Sequence, residues 1–310
     1  MVLLRMVLFS GAVGRISAFA SGTARTLTRQ QQASAEGAFA TVFQGSGLHG
    51  GFVAVRLPTL THPSREGGVE DSDLEALLPY AELHPDEVEH MRDMQPQRRT
   101  LFAGGRVAMR RALLQHSLDG VTTRALESEP EWPVLPGLHG APALPSGWLG
   151  SISHTRGLAA ALVDVSGSPL LAGDQTVAGI GIDVEHASRR VSPLLPRRTL
   201  SLDERASLGD NGLDKDADTL LRFSIKEALY KAIHPMLPGT IPWHSVTVWP
   251  NADGSCTVDV TGLEATTGME LRADASWLLK KGFFVTTASA ECPRPESRRR
   301  HVCPSEARKR

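Results

Sequence analysis

Two short segments carry side chains whose types and spacing suit metal and phosphate chemistry. In Gly179-Ile-Gly-Ile-Asp-Val-Glu185, two carboxylates, Asp183 and Glu185, stand two positions apart. Val177, Ile180 and Ile182 with two glycines between them suggest a strand that other backbone approaches closely. Side chains two apart on a strand share a face. Two carboxylates side by side repel unless a cation or a donor lies between them, and a hard divalent ion with oxygen ligands, such as magnesium, is a natural occupant. In Phe223-Ser-Ile-Lys-Glu-Ala-Leu-Tyr-Lys231, Leu221, Ile225, Ala228, Leu229 and Ala232 recur at helical spacing and form an apolar stripe. Glu227 and Lys231, four apart, share another face of the same helix. The two segments together offer three carboxylates and an ammonium. Either one alone also reads as an acidic strand end or an ordinary surface Glu–Lys pair.

The elements that must position these groups follow from the local patterns. Val53 to Leu57 reads as a first strand, Leu74 to Leu78 as a helical turn, and Gly45 to Gly51 and Thr61 to Gly68 as loops. Glu87 to His116 reads as helix interrupted near Gln95-Pro96. Glu129 to Gly150, rich in Pro, Gly and Trp, reads as an ordered loop. A strand starts at Ile152, and the unbroken apolar run Leu158 to Val165 suits a buried one. Pro193 to Leu208 reads as helical, and Asp210 to Asp218 as a polar loop whose aspartates cap the helix bearing Glu227. Trp243 to Trp249 and Cys256 to Val260 read as strands joined by the turn Asn251-Ala-Asp-Gly254, with a last strand at Phe283 to Thr287.

Length and composition bound the rest. At 310 residues, 41% hydrophobic and 22% charged, the chain has enough apolar material for one large or two modest domains. A net charge of -1 argues against a generally nucleic-acid-binding surface. Cys256, Cys292 and Cys303 form no C-x-x-C pair, which argues against a disulfide scaffold or zinc site and suits a reducing compartment. No apolar run approaches the roughly 20 residues of a membrane-spanning helix. Residues 1–35 hold Arg5, Arg15, Arg25 and Arg29 among Ser, Thr and Ala with no acid before Glu36. That composition resembles an organelle transit peptide, the alternatives being a disordered extension or a start codon placed too early. The basic tail after Cys292 reads as disordered and solvated.

From about Leu77 to Ala290 the chain resembles the 4′-phosphopantetheinyl transferases of the surfactin and enterobactin synthase type. Three elements carry the likeness in order: Gly150-Ser-Ile-Ser153-His154, then Gly181-Ile-Asp183-Val-Glu185, then Phe223-Ser-x-Lys226-Glu227-Ala-x-Tyr-Lys231. Arg98-Arg99, Phe102 and Gly105-Arg106 resemble the enterobactin-type pattern of arginines before a Phe and a Gly-Arg pair. The resemblance implies an α/β (α+β) fold of two similar halves about a pseudo-twofold axis, residues 50–176 and 177–291. Residues 1–45 then form a transit peptide or extension, and 292–310 a tail. It implies magnesium-dependent transfer of phosphopantetheine from coenzyme A to a serine of an acyl- or peptidyl-carrier protein, releasing 3′,5′-ADP, by an enzyme that works as a monomer.

Residue by residue, the resemblance implies Asp183, Glu185 and Glu227 as metal ligands and Glu227 and Lys231 as catalytic groups. Arg98, Arg106, Ser153, His154, Asp183, Lys226 and Lys231 are implied at the coenzyme. Guanidinium groups suit phosphate because they bind it through paired charge-assisted hydrogen bonds. One departure stands out: the family has a lysine or arginine just before Pro142, where this chain has Ala141, with His139 nearby. Carriers present an acidic helix beside the modified serine, so Arg189, Arg190, Arg197 and Arg198 among Val191, Leu194 and Leu195 are candidates for a docking face. A metal-dependent phosphohydrolase could also use grouped carboxylates and lysines, but the chain has no G-x-x-x-x-G-K-[ST] loop and no histidine-rich cluster. A carrier-binding module that lost its activity is the other alternative, and the complete set of acids argues against it.

Overall fold

The computed structural model describes residues 39–47, 49–58, 83–116, 132–137, 140–165, 176–237 and 240–293. The expected transit segment up to residue 38, the helical turn at Leu74 to Leu78, His139 and the basic tail lie outside them. In the first half, β1 (Thr41–Gly47) and β2 (Gly50–Arg56) are followed by α1 (Pro85–Met91) and α2 (Pro96–His116). Two more strands, β3 (Trp148–Thr155) and β4 (Leu158–Val165), complete an antiparallel sheet in the order β1-β2-β4-β3. The second half opens with β5 (Thr176–His186) and continues through α3 (Leu195–Thr199), α4 (Leu202–Ala206) and α5 (Lys215–Ile233). The strands β6 (Thr247–Pro250), β7 (Ser255–Asp259), β8 (Arg272–Lys280) and β9 (Phe283–Pro293) follow, with α6 (Thr261–Thr267) between β7 and β8. They form a second antiparallel sheet in the order β5-β9-β8-β7-β6. The α/β class read from the sequence is the class observed.

Burial follows the two-residue period of the strands. On β4, Ala159, Ala161 and Val163 pack against Val107, Met109 and Leu113 of α2. Leu158, Ala160 and Leu162 point the other way, into a seam shared with Ile180, Ile182 and Val184 of β5. That two-sided burial is why the β4 run is apolar without alternation. In the second half, Leu221, Ile225, Ala228, Leu229 and Ala232 of α5 are all buried, as their helical spacing predicts. Asp214 caps this helix by accepting from the backbone N–H groups of Asp216 and Ala217.

Three local expectations are corrected. Gly45 to Gly51, read as a loop, belongs to the β1–β2 hairpin, in which Gly45 pairs with Phe52. Strand β8 has no counterpart among the predicted elements; its mixed sequence Arg-Ala-Asp-Ala-Ser is held by a full ladder to β9. Pro193 to Leu208 is two short helices, because Leu200 turns to extended backbone and Ser201 starts a new capping box with Glu204.

Helix α5 lies unusually near β5. A Cβ on Gly181 would stand 1.8 Å from the carbonyl oxygen of Ala228, and one on Gly179 would stand 2.2 Å from that of Ala232. Both obstacles are backbone and cannot swing aside. Gly181→Ala should therefore cost about 3 kcal/mol or more, the upper end for overpacked cores, read as a lower urea midpoint. A midpoint within experimental error of the wild type would show that the helix has room to retreat.

Candidate active site

The face of β5 that carries Gly179 and Gly181 continues into Asp183 and Glu185, so the carboxylates sit where the helix backbone has just passed. Both are buried. Asp183 Oδ1 accepts from Ser153 Oγ at 2.8 Å and from Lys231 Nζ at 2.9 Å, and Oδ2 accepts from Ser224 Oγ at 2.8 Å. Lys231 Nζ also donates to the Ile182 carbonyl at 2.8 Å. Glu185 is closed upon by the guanidinium of Arg189, with a long contact of 3.5 Å from Thr155 Oγ1. Arg189, a candidate for a docking face, is thus engaged at the acidic strand. The half-buried Glu227 carries no hydrogen bond or ion pair among the described residues. Burial, then the charge of Asp183, pushes its pKa up, against the pull of Lys231. Burial likewise raises Glu185, opposed by its bond to Arg189.

Beside these groups lies a cavity of about 950 Å³ bounded by both halves. Arg98, Arg106, His154 and Lys231 line it, as do His90, Trp148, Tyr230 and His234, which sequence reasoning did not single out. Arg106 is buried, lies 3.6 Å over the Phe102 ring and donates from Nε to the Val134 carbonyl at 2.9 Å. Burial pushes its pKa down to about 10, so it stays charged at neutral pH. Ala141 lines the wall without offering charge. His154 stands in the cavity, whose walls hold its pKa below the ordinary histidine value by burial.

Three residues expected at the coenzyme, Ser153, Asp183 and Lys226, do not line the cavity. Lys226 is buried beneath α5, where its three N–H groups reach the Thr199 carbonyl, Glu204 Oε2 and the Trp243 carbonyl at 2.8, 2.7 and 2.9 Å. It does not line the cavity, because acceptors on α3, on α4 and at Trp243 beyond the end of α5 hold its ammonium. Ser153 turns its hydroxyl to Asp183 instead of the cavity. The hydroxyls at Ser151, Ser153 and Thr155 share one face of β3 and all meet β5, at the Ile182 N–H, Asp183 and Glu185. Their period of two was the available signal. Arg99, next to Arg98, is tied to the Met94 and Arg92 carbonyls.

Residues 86–164 match the model of the 4′-phosphopantetheinyl transferase N-terminal domain, and residues 179–287 match that of the 4′-phosphopantetheinyl transferase superfamily. The chain belongs to the 4′-phosphopantetheinyl transferase superfamily. The transferase is 29% identical over 224 residues to the 4′-phosphopantetheinyl transferase Svp of Streptomyces mobaraensis, covering 69% of this chain and 81% of that one. Similar solved structures include the holo-[acyl-carrier-protein] synthase of Neisseria meningitidis, with 19% identity and a TM-score of 0.30 over 36% of this chain and 96% of that one. A Chronobacterium ammoniagenes ACPS determined as a coenzyme A complex is 16% identical, with a TM-score of 0.29, over 38% of this chain and 98% of that one. The enzyme moves the 4′-phosphopantetheine arm of coenzyme A to a carrier protein.

The three carboxylates suit a hard divalent ion by the chemistry of their donors, which are all oxygen. Among the described residues, no three His, Cys, Asp or Glu side chains converge as a metal cluster. Asp183 and Glu185 lean instead on Lys231 and Arg189, while Glu227 stays raised by burial and then by its acidic neighbours. Because the folded pKa of Glu227 lies above the unfolded value, its ionisation weakens the metal-free fold as pH rises from the ordinary 4.5 upward. Glu227→Gln should then raise the thermal midpoint in chelator at pH 7 by a few degrees, a gain that shrinks to nothing below about pH 4.5. An unchanged or lower midpoint at pH 7 would mean the Glu227 charge is compensated in the fold.

Proposed function

We propose that Asp183, Glu185 and Glu227 hold magnesium and that Glu227 and Lys231 carry the transfer itself. The observation that carries this reading is Glu227. It is a half-buried carboxylate raised by its surroundings, without a donor among the described residues, one helical turn from a lysine in the cavity wall. When bound, the ion neutralises the pyrophosphate and the charge that grows on the leaving phosphate. The carrier serine oxygen attacks the phosphorus that bears the pantetheine arm, the bond to the bridging oxygen breaks, and 3′,5′-ADP leaves with that electron pair. A serine hydroxyl needs a base to do this, and Glu227 is the carboxylate whose oxygens carry no donor among the described residues. Glu227 takes the proton. Lys231 sets a positive charge beside the phosphates.

Arg98, Arg106 and His154 grip the 3′-phosphate from the cavity wall. Among the described residues only the Nε of Arg106 has a partner, the Val134 carbonyl, so its two terminal nitrogens are proposed to serve a ligand. Two experiments test these roles. With coenzyme A, magnesium and apo carrier proteins, mass spectrometry should show the phosphopantetheine adduct, and Glu227→Gln should lower kcat by about 10²–10⁴-fold, the usual worth of a general base. A kcat within threefold of the wild type would remove Glu227 from the chemistry. Arg106→Ala should weaken coenzyme A binding by about 10–100-fold, the loss of a charge-assisted hydrogen bond, and dephospho-coenzyme A binding far less. Equal losses for the two ligands would show that Arg106 does not read the 3′-phosphate.

A further inference from the structure

Asp183 has a countable set of partners. Oδ1 accepts from both Ser153 and Lys231, and Oδ2 accepts from Ser224 alone. Each carboxylate oxygen offers two lone pairs, so Oδ1 is filled and Oδ2 keeps one acceptor position. An ionised carboxylate has no hydrogen to give, so the Ser224 hydroxyl hydrogen lies in the bond to Asp183. In the contact between Ser224 Oγ and Thr286 Oγ1, at 3.0 Å, Ser224 can then only accept, and the one hydroxyl hydrogen of Thr286 is shared between that oxygen and the Ser224 and Asp183 carbonyls.

Ser224 and Thr286 are both fully buried. Thr286 stands directly across the ladder from Asp183 on β9, and its hydroxyl also faces the Ser224 and Asp183 carbonyls at 3.0 and 3.4 Å. Their neighbours on these elements, Leu221, Ile225, Ala228 and Val285, are apolar core. A hydroxyl in such surroundings costs stability unless it is bonded, and among the described residues the side chains these two bond are each other and Asp183. Ser224 also fails to bond back to the helix carbonyl four residues earlier, the usual retreat of a mid-helix serine. It is aimed at the carboxylate.

We propose that Ser224, backed by Thr286, is a positioning residue that fixes Asp183 so that the one open position on Oδ2 is presented to the divalent ion. This rests on the reading of Asp183 as a ligand. Neither residue lines the cavity.

The test is manganese binding to the full chain, followed by the loss of the free Mn²⁺ signal in electron paramagnetic resonance. Ser224→Ala should raise the dissociation constant about 10–100-fold, the usual cost of removing an outer-shell partner. Asp183→Asn should raise it further. Thr286→Val, which keeps the side-chain shape and removes the hydroxyl, should raise it in the same direction by less, and serves as the second arm if Ser224→Ala folds poorly. Addition of Mn²⁺ at saturating concentration should bring the Ser224→Ala transfer rate back toward that of the wild type, as a defect in ion capture requires. If Asp183→Asn loses affinity while Ser224→Ala and Thr286→Val bind like the wild type, the positioning role is overturned and the ligand role stands. If Asp183→Asn itself binds like the wild type, the ligand role falls and the positioning role with it.

Discussion

The site depends on how closely α5 lies on β5. Two residues of strand advance by about 6.6 Å and four residues of helix by about 6 Å, so contacts between the two elements recur in step. Gly179 meets Ala232, Gly181 meets Ala228, and Asp183 meets Ser224. The first two steps are bare backbone against backbone. The third is the first place on that face where a side chain must fit, and it is a carboxylate facing a hydroxyl. Lys231, adjacent to Ala232, is thereby carried to the Ile182 carbonyl and to Asp183. A wider separation would leave Asp183 without two of its three donors.

The second constraint is the seam between the sheets. β3 and β5 stand edge to edge but do not pair through their backbones; the link is made by side-chain hydroxyls of β3. Each such bond is worth about 0.5–1.5 kcal/mol net, and the one from Thr155 at 3.5 Å is too long to count for much. The apolar seam formed by Leu158, Ala160, Leu162, Ile180, Ile182 and Val184 outweighs them, since burying one such aliphatic side chain contributes about 1.5–3 kcal/mol. The hydroxyls therefore orient and the apolar residues hold. That division lets a carboxylate from one half sit against a serine from the other without the halves relying on it for cohesion.

Short-range patterns carried much of this legibly. The stripe on α5, the two-sided burial of β4 and the close approach at Gly179 and Gly181 each follow from spacing within a dozen residues. β1 and β8 were not legible because their strand state comes from partners far along the chain: Thr-Val-Phe-Gln-Gly-Ser-Gly has little strand character until β2 lies beside it. Motif membership also proved a poor guide to side-chain direction. Lys226 and Lys231 belong to one motif, yet five residues place them about 140° apart around a helix. The acceptors that capture Lys226 come from Thr199, Glu204 and Trp243, none of which the motif contains.

On α5 and β5, the charged groups proposed as functional differ from the structural ones in their unfilled hydrogen-bonding capacity. Arg222, on the same helix, has five N–H groups and five acceptor contacts, from Asp218, Ser207 and Val248. Lys226 has three and three. Asp218 is filled at all four of its acceptor positions, by Gly209, Asn211 and Arg222. These charges are buried and complete, so they serve the fold. Lys231 makes two contacts with its three N–H groups and is 26% exposed at the cavity wall. Among the described residues, Asp183 keeps one open acceptor position and Glu227 keeps all of them. A buried polar group left incomplete costs stability, and here three such groups share one corner between β5 and α5. On the proposed roles of these residues, the missing partners are the ones that coenzyme, ion and carrier serine bring.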